Sequence, residues 1–390
     1  MKVYCINFQG IAEGQRTNAL VWGMFNLFRR LDINRFFFLT GSIDKDYGPN
    51  IQGLNRAQLF EYKLFAKVSA LLKLPYYIRR TVEEKIVDAF FCKRLKKENE
   101  PFILITTMYA VRCTCYAKKH GCTVLFWAGN LNDNLYYETV KKEQKRLGLH
   151  YTDVYTSLYR IGVYRKMFEN VDFVYCLNSL CAWSFSGKRI IMDSRPLYKA
   201  PLLYPKEYVR PVPDKIVIGY FGHTTLLKGV HLLGEAIPRC KYRDKIELVI
   251  AGSVDKNVKR LLLMSDVPIT FLGSVPEGKK WSTIQSFDFM VVPSLYDAGP
   301  GTIAEAYKCD VPVIVSSGCG NVEKYKDDPK CVVFRTMDIQ DLADKIDEAY
   351  KHRETFLRSR ICEDTKTDHS MSTGSLDFFN KTIEYLCSLS

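Results

Sequence analysis

The chain has 390 residues, of which 47% are hydrophobic and 25% are charged, and its formal net charge at pH 7 is +13. This length allows two domains with separate cores, and no apolar run approaches the roughly 20 residues that span a bilayer, which excludes a membrane-spanning helix. Residues 1–6 enter a strand without a signal-peptide pattern, and the thirteen cysteines lack paired metal-ligand spacing. We therefore expect a cytoplasmic protein with reduced thiols.

The first half of the chain alternates between strand-like and helix-like segments. Short buried strands are predicted at 3–8, 35–39, 103–107, 123–127 and 173–177. Helices are predicted at 17–30, 111–120 and 154–169. This alternation predicts a parallel, doubly wound sheet in a first domain at 1–198. Residues 41–100 interrupt the alternation as a largely helical insertion.

The basic surplus lies entirely in this first half. Residues 1–200 contain 31 Lys and Arg against 17 Asp and Glu, a net of +14, whereas the remainder contains 25 against 26, a net of −1. Within 56–97, eleven basic residues accompany four acidic ones, and 60–80 mixes cations with aromatics and leucines. Such a segment is either an interfacial element on an anionic membrane or a packed helix with a solvated basic face.

A second alternating series follows a proline-rich stretch. Five prolines between Pro196 and Pro213 predict a linker at 199–214. Strands are then predicted at 216–221, 247–251, 269–272, 289–292 and 313–315, and helices at 230–237, 255–263, 280–285, 303–308 and 339–352. This series predicts a second doubly wound domain at 215–368. An amphipathic helix within 369–390 is expected to pack back toward the first domain.

The most informative segment is the loop between the strand at 289–292 and the strand at 313–315. It carries Asp297, two glycines and then Glu305, and the sequence predicts a helix that starts near Thr302 with Glu305 in its first turn. Carboxylates accept hydrogen bonds from hydroxyl groups, and the N–H groups of a helix N-terminus attract anions. The segment therefore suits a ligand that carries both hydroxyls and phosphates.

The second half resembles the GT-B glycosyltransferases, and most clearly the retaining, nucleotide-sugar-dependent glycosyltransferase family 4. The matching elements, in order, are Gly219–Gly222, Lys228-Gly229, Ala251-Gly252, Phe271–Val275, Asp288, Pro293-Ser294, Glu305-Ala306 and Val311–Ile314. The resemblance implies an α/β fold with two doubly wound, Rossmann-like domains facing across a cleft. It also implies transfer of a hexose from a nucleoside-diphosphate sugar to a glycan or lipid-linked acceptor, with no cofactor or metal.

The resemblance assigns a role to a lysine after the first strand of the second domain. Lys228 would contact the donor diphosphate, where an ammonium stabilises a polyanion and the charge that grows on the leaving group; the alternative is a solvated surface lysine. The family usually has an arginine five residues earlier, where this chain has His223. A histidine gives a weaker diphosphate clamp or a shifted donor position, since it lacks the charged fork of arginine.

Two carboxylates match the family's acidic pair, which is separated by seven residues. The resemblance gives the ribose hydroxyls to Glu305 and the transferred sugar to Asp297, which replaces the usual glutamate and is one methylene shorter. With Lys228 these residues form the expected catalytic set. The alternative for Glu305 is a first-turn carboxylate that complements the helix dipole.

The remaining donor-binding residues follow from the same resemblance. They are Gly14, Gly222, His223, Gly252, Val275, Ala298, Gly299, Gly301 and Thr302. Gly10 and Gly14 correspond loosely to glycines that approach the donor phosphate from the first domain. Gly318, Gly320 and Glu323 either help close the donor site or form an ordinary turn between a strand and a helix.

The acceptor side is less defined. Many family members have a histidine after the strand at 123–127, where this chain offers Asn130 and Asp133 as the nearest polar candidates. Asp44-Lys45-Asp46 has the spacing of a metal motif but is interpreted as a solvated turn, since it lies away from the donor loop. Three alternatives stay open: a nucleotide-sugar epimerase or hydrolase of the same fold, a catalytically inactive nucleotide-sugar-binding module, and a nucleic-acid-binding protein without a recognised motif.

Overall fold

The structure is a computed structural model, and it describes residues 1–11, 19–193, 214–358 and 373–389. The chain divides into two units. Unit 1 comprises Met1–Lys141, Leu149–Lys199 and Ser370–Ser390, and unit 2 comprises Lys142–Gly148 and Ala200–His369. Most of the predicted linker at 199–214 lies outside the described residues.

Unit 1 is built on a seven-stranded parallel sheet. Its strands are β1 (Lys2–Ile6), β2 (Phe36–Leu39), β3 (Ile51–Gln52), β4 (Phe102–Thr106), β5 (Thr123–Trp127), β6 (Phe173–Cys176) and β7 (Arg189–Met192), in the order β3-β2-β1-β4-β5-β6-β7. The chain builds outward from β1 to β3 and then returns to start β4 on the other side of β1. The switch in strand order therefore lies between β1 and β4, and polar groups at that point share one crevice at the carboxyl ends of the strands.

Within the described residues, unit 1 has eight helices, and the last residues of one of them belong to unit 2. They are α1 (Ala19–Phe28), α2 (Arg56–Leu71), α3 (Tyr76–Leu95), α4 (Val111–Lys119), α5 (Asp133–Arg146), α6 (Leu158–Phe168), α7 (Ser179–Ser184) and α14 (Thr373–Ser388). The C-terminal helix α14 contributes Phe379, Ile383 and Leu386 to the same buried cluster as Phe28 and Trp127. Unit 1 thus includes the chain's last helix in its own core.

Unit 2 is built on a six-stranded parallel sheet. Its strands are β8 (Ile216–Phe221), β9 (Ile246–Ala251), β10 (Ile269–Gly273), β11 (Phe289–Val292), β12 (Val313–Ser316) and β13 (Cys331–Phe334), in the order β10-β9-β8-β11-β12-β13. Strands β8 to β10 extend in one direction, and β11 to β13 extend in the other. The switch point of unit 2 therefore lies between β8 and β11, the two strands that precede Lys228 and Asp297.

The first four helices of unit 2 are short and connect successive strands, and two more follow the last strand of its sheet. They are α8 (His231–Ala236), α9 (Lys256–Leu263), α10 (Lys280–Gln285), α11 (Gly301–Lys308), α12 (Ile339–Lys351) and α13 (Arg353–Arg358). The buried strands are rich in valine and isoleucine, as expected for a parallel sheet that is covered on both faces. No helix in the described ranges is long and apolar enough to cross a membrane.

Candidate functional site

Lys228 and Asp297 meet at the switch point of unit 2. Lys228 ends a single 3₁₀ turn that follows β8, and Asp297 lies in the loop that follows β11. The two loops are joined by a hydrogen bond of 2.9 Å from the Leu295 N–H to the Leu227 carbonyl oxygen. The Lys228 ammonium donates to Asp297 Oδ2. Two residues 69 positions apart are thus brought together by the strand order.

Gly229 makes this approach possible. Its φ is +68°, and a Cβ at this position would lie 1.8 Å from the Pro293 carbonyl oxygen. A side chain would therefore force the turn after β8 away from the loop after β11, in addition to the strain of a left-handed backbone. The Lys228-Gly229 pair in the sequence is explained by this contact: the glycine brings the backbones together, and the lysine fills the space beside Asp297.

The loop after β12 holds Asp297 from the other side. The Asp297 N–H donates to the Gly318 carbonyl oxygen at 2.9 Å, and the Gly320 N–H donates to the Asp297 carbonyl oxygen at 2.9 Å. A Cβ on Gly318 would lie 2.4 Å from the Leu295 carbonyl oxygen. Gly318 and Gly320 therefore fix the position of Asp297 through the backbone. Glu323 is exposed and pairs with Lys326 at 2.9 Å.

The Lys228 ammonium is charged at neutral pH. Burial by itself lowers the pKa of Lys228, but the charge of Asp297 and its hydrogen bond outweigh burial, so the pKa lies above the ordinary 10.5. The Lys228 side chain keeps 36% of its surface exposed, whereas that of Asp297 keeps 13%. The cation is therefore accessible at the carboxyl end of the sheet, where an anionic ligand would approach.

The helix after this loop begins earlier than predicted. Helix α11 starts at Gly301, with Pro300 in an extended conformation as its N-cap and no acidic residue in its first turn. The prediction that Glu305 lies in the first turn is wrong, because the fixed φ of Pro300 starts the helix one residue sooner and leaves Glu305 in the second turn. Glu305 is therefore not a first-turn carboxylate that serves the helix dipole.

Glu305 has a cationic partner that the sequence analysis did not identify. Lys280, the first residue of α10, donates to Glu305 Oε1 at 2.7 Å, and both side chains are about four-fifths buried. The Lys280 ammonium also lies 4.9 Å from the centre of the Trp281 ring. The only signal was a lysine pair before a tryptophan at 279–281, which does not indicate a partner 25 residues away.

The backbone N–H groups near Asp297 fall into two kinds: one donates to Asp297 itself, and others have no acceptor within helix α11. The Gly299 N–H donates to Asp297 Oδ1 at 3.0 Å, and Pro300 has no N–H. Gly301 and Thr302 are the first two residues of α11, whose N–H groups have no acceptor within the helix. Of the predicted amide set, these two are positioned for an anion, whereas Gly299 orients the aspartate.

The other predicted donor residues of unit 2 lie at the same edge of the sheet. Gly222 and Gly252 follow β8 and β9, and a Cβ on Gly252 would lie 2.0 Å from the Gly222 carbonyl oxygen. The exposed His223 ring places Nδ1 2.7 Å from Ser253 Oγ, so this ring is tied to the loop after β9. Val275 packs against the unit 2 core, and Ala298 is half-buried beside Asp297.

The second half of the chain is similar to a known protein family. Residues 206–366 match the model of the family described as glycosyl transferases group 1. The match covers most of unit 2 and no part of unit 1. A segment of 117 residues, 29% of the chain, is 33% identical to an uncharacterized glycosyltransferase of Methanocaldococcus jannaschii. That alignment covers 30% of the archaeal protein's length.

Solved structures similar to the whole chain share its fold. Sucrose-phosphate synthase from Thermosynechococcus elongatus superposes with a TM-score of 0.59 at 14% identity, with 100% of both chains covered. WaaG, a glycosyltransferase involved in lipopolysaccharide biosynthesis, gives 0.56 at 14% identity, covering 97% of this chain and 99% of that one. Anabaena Alr3699/HepE in complex with UDP gives 0.51 at 12% identity, again over the full length of both. The chain has the GT-B fold, as the sequence predicted.

Unit 1 has a polar cavity of about 110 Å³. It lies at the switch point between β1 and β4, where the loops after β1, β4 and β5 meet helices α3 and α6. Asn130 and Asp133, the predicted acceptor-side residues, both line it. Burial raises the pKa of Asp133 despite the charge of Arg160 and a hydrogen bond from the Tyr109 hydroxyl.

Three charged residues of this cavity were missed by the sequence analysis. Arg80 and Glu84 come from α3, and Arg160 comes from α6. Glu84 is 2% exposed and Arg160 is 8% exposed. The spacing of Arg80 and Glu84 fits an ordinary surface pair on a helix, and only the packing of α3 against the strand ends turns it inward.

Two further predictions concern loops of unit 1. Gly14 lies outside the described residues. Gly10 is described, and a Cβ there would lie 2.3 Å from Ser42 Oγ, so it accommodates a neighbouring loop. Asp44 and Asp46 accept hydrogen bonds from the Tyr47 hydroxyl and the Gly48 N–H within one turn. Within the described ranges, no group of three or more His, Cys, Asp and Glu side chains is placed to hold a metal ion.

Proposed function

We propose that this protein is a retaining glycosyltransferase that moves a hexose from a nucleoside-diphosphate sugar to a glycan or lipid-linked acceptor. The observation that carries the proposal is the meeting of Lys228 and Asp297 at the switch point of unit 2. In open α/β sheets, ligands bind at this point, beyond the carboxyl ends of the strands. A cation beside the first two N–H groups of α11 suits a diphosphate.

The proposed mechanism uses the same residues. The bond between the sugar C1 and the diphosphate oxygen breaks, and its electron pair leaves with the diphosphate. Lys228 and the Gly301 and Thr302 N–H groups stabilise the charge that grows on this leaving group. The acceptor hydroxyl oxygen forms the new bond to C1 on the same face, and its proton passes to the departing phosphate oxygen. Positive charge comes from the protein, so the proposal requires no metal or cofactor.

The two carboxylates have different proposed roles. Asp297 is held by Lys228 and by the Gly299 N–H, yet each of its oxygens retains a lone pair for a hydroxyl of the transferred sugar. Glu305 would accept from the ribose hydroxyls, while Lys280 donates to its Oε1. Two backbone hydrogen bonds to the loop after β12 fix the position from which the shorter Asp297 side chain would reach the sugar.

A panel of nucleotide sugars tests this proposal. UDP-, GDP- and ADP-linked hexoses are screened for thermal stabilisation and for release of the nucleoside diphosphate, with and without added glycans. We expect one donor to raise the melting temperature of the wild type but not of Lys228→Ala or Glu305→Ala. The proposal is contradicted if no donor binds, or if both variants bind it as the wild type does. Binding without release would instead identify an inactive binding module.

We also propose that unit 1 binds an anionic membrane surface, where a lipid-linked acceptor would be found. The supporting observation is an apolar stripe on α2. Phe60, Leu64, Val68 and Leu71 recur at helical spacing and are 68%, 51%, 44% and 82% exposed. Lys63 and Lys67 are exposed on the same helix. Exposed apolar groups flanked by cations match the interface of a bilayer with anionic headgroups.

Vesicle sedimentation tests this second proposal. The wild type is expected to sediment with vesicles containing about 30% phosphatidylglycerol and to remain in solution with pure phosphatidylcholine, since cations need anionic lipid to bind. The double variant Phe60→Ser, Leu71→Ser is expected to stay in solution in both cases. The matched control is Leu263→Ser, Met264→Ser, which removes two exposed apolar side chains of unit 2. Equal sedimentation of all three proteins would contradict the proposal.

A further inference from the structure

The ion pair between Lys280 and Glu305 in unit 2 is open to solvent on one side. Lys280 Nζ donates to Glu305 Oε1 at 2.7 Å, and the two side chains keep 19% and 22% of their surface exposed. Glu305 Oε2 has no hydrogen-bond partner in the described part of the chain and retains solvent-accessible surface. A ligand can therefore reach a free carboxylate oxygen and, next to it, an ammonium group that has further N–H donors.

Both side chains come from helices that begin beyond the carboxyl ends of the strands. Lys280 is the first residue of α10, which follows β10, and Glu305 lies in the second turn of α11, which follows β11. Glu305 comes one turn after Gly301, which is about 6 Å along the helix axis. In a nucleoside diphosphate the ribose is joined directly to the phosphates. The pair is therefore within reach of the ribose when the diphosphate contacts the start of α11.

The Trp281 ring holds a second lysine beside the same carboxylate. The ammonium groups of Lys280 and Lys308 lie 4.9 Å and 5.5 Å from the centre of this ring. Burial lowers the pKa of Lys308 and the nearby charge of Lys280 lowers it further, although the charge of Glu305 opposes this shift. One carboxylate thus faces two cations, so this cluster offers hydrogen-bond donors as well as an acceptor.

An open acceptor next to an open donor matches two neighbouring hydroxyl groups of one ring. A hydroxyl can donate to a carboxylate, and the oxygen of a hydroxyl can accept from an ammonium group. A phosphate only accepts at neutral pH, and the Glu305 carboxylate would repel it. A vicinal diol therefore satisfies both members of the pair without adding charge.

We propose that Lys280 and Glu305 together bind the 2′- and 3′-hydroxyls of the donor ribose, one hydroxyl to each side chain. One hydroxyl donates to Glu305 Oε2, and the oxygen of its neighbour accepts from the Lys280 ammonium. This inference rests on the proposed function and deepens it, because the resemblance gave both hydroxyls to Glu305 alone. Lys280 then contributes to the selection of ribonucleotide over deoxyribonucleotide donors.

Calorimetry on the intact protein tests the assignment. The probes are UDP, GDP and ADP, each in the ribose, 2′-deoxy and 3′-deoxy forms. We expect the wild type to bind at least one ribose form about tenfold more tightly than either of its deoxy forms, the loss that corresponds to one hydrogen bond to a charged group. Equal affinity of the wild type for all three forms overturns the inference without any variant.

The variant Lys280→Met identifies the hydroxyl that this lysine binds. It should weaken the ribose form and one deoxy form about tenfold, but it should leave the other deoxy form unchanged, because that form lacks the hydroxyl in question. A variant that is merely less well folded would weaken all three forms equally. Equal weakening of the three forms, or no weakening of any, overturns the inference.

Two further variants control for charge and for folding. Lys279→Met removes the exposed neighbouring lysine at the N-cap of α10 and should leave all three affinities unchanged. Lys280→Arg keeps a cation with N–H donors and should keep the preference for ribose. If Lys279→Met weakens the ribose form as much as Lys280→Met does, positive charge in general is responsible and the inference fails. Far-ultraviolet circular dichroism and the melting temperature establish that each variant is folded.

The same titrations separate this inference from the proposed function. If the wild type binds a nucleoside diphosphate and Lys280→Met weakens its three forms equally, the role of Lys280 is wrong and the transferase proposal stands. If the wild type binds no nucleoside diphosphate in any form, both proposals fail.

Discussion

The two units have the same kind of switch in strand order but place different polar groups there. Each has one parallel sheet with a single switch point, and each collects polar groups there. Unit 2 uses glycines that let three loops approach one another, and it leaves one lysine 36% exposed. Unit 1 brings four charged side chains from three helices to its cavity, two cationic and two acidic. The strand order therefore gathers polar groups at one point of each unit, but unit 2 leaves a cation accessible there whereas the unit 1 cavity contains charges of both signs.

The largest effect is expected from removing the exposed charge of unit 2. Lys228→Ala should lower the turnover of the nucleotide sugar by about 10² to 10³, the usual loss when one stabilising donor for a growing anion is removed. The measurement is release of the nucleoside diphosphate together with its dissociation constant.

The matched control for this variant lies in the same sheet, at the amino ends of the strands. Lys330 donates to Asp310 just before β13, in a pair of the same type at the amino ends of the strands. Lys330→Ala should cost comparable stability but leave nucleotide-sugar binding unchanged. If both variants lose binding equally, the effect is a general loss of stability in unit 2, and the switch point has no special role.

The next largest effect concerns how the loops of unit 2 approach one another. Gly229→Ala should destabilise the protein by about 2–4 kcal/mol, since a left-handed φ and a clash with the Pro293 carbonyl act together. Gly278→Ala is the control, because nothing lies within 4 Å of its added Cβ. Urea unfolding measures both. Equal unfolding free energies would mean that the loop contact is not required.

A smaller effect is expected from restoring the family's usual arginine. His223→Arg should tighten nucleoside-diphosphate binding by about three- to tenfold, because a charged, bidentate donor replaces an imidazole. Calorimetry with the nucleoside diphosphate is the measurement. Unchanged affinity would mean that the link from His223 to Ser253 keeps this position away from the phosphates.

The smallest effect distinguishes the two sites by pH. Burial raises the pKa of Asp133 above the ordinary 3.8, so the folded protein favours the protonated carboxyl group. The destabilisation caused by the charged carboxylate is fully present above the pKa of the folded state and decreases as the pH falls through it. The melting temperature of the wild type relative to Asp133→Asn should therefore rise as the pH falls from about 7 to about 4. A difference that is constant over this range, or that falls, would contradict the buried position of Asp133.

The contribution of the Lys228–Asp297 pair of unit 2 to stability should change only at alkaline pH. Because the pKa of Lys228 is raised, the pair's contribution is fully present below the unfolded value of 10.5 and is lost as the pH rises through the folded pKa. The deficit of Lys228→Met relative to the wild type should stay constant between about pH 7 and pH 9. Thermal melts at three pH values check this.

The sequence predicted the architecture well because parallel strands buried on both faces are continuous apolar runs. The strands 216–221, 289–292 and 123–127 match the structure residue by residue. Three edge strands, β3, β7 and β13, were missed. β3 has only two residues, and β7 is partly exposed, so neither forms a distinct apolar run. β13 is a short apolar run that the prediction overlooked. Helix α5 was missed because it is predominantly polar, as a helix with one buried side can be.

The site was predictable only where the backbone constrains the sequence. Two loops approach the loop after β11 so closely that only glycine fits at Gly229 and Gly318. These glycines make the positions of Lys228 and Asp297 recognisable in the sequence. Lys280 carries no such mark, because a long side chain reaches its partner from an ordinary helix start. Glu84 and Arg160 are likewise invisible, since their juxtaposition depends on the packing of α3 against α6 and not on local spacing.

The central claim is that a nucleoside diphosphate binds at the carboxyl ends of the strands of the unit 2 sheet. Hydrogen–deuterium exchange with and without the bound nucleoside diphosphate tests it most directly. Peptides covering 222–229 and 295–303 should exchange more slowly with ligand, whereas those covering 308–313 and 326–331, at the amino edge, should not change. Slower exchange at the amino edge, or no change at 222–229 and 295–303 with ligand bound, would contradict the claim.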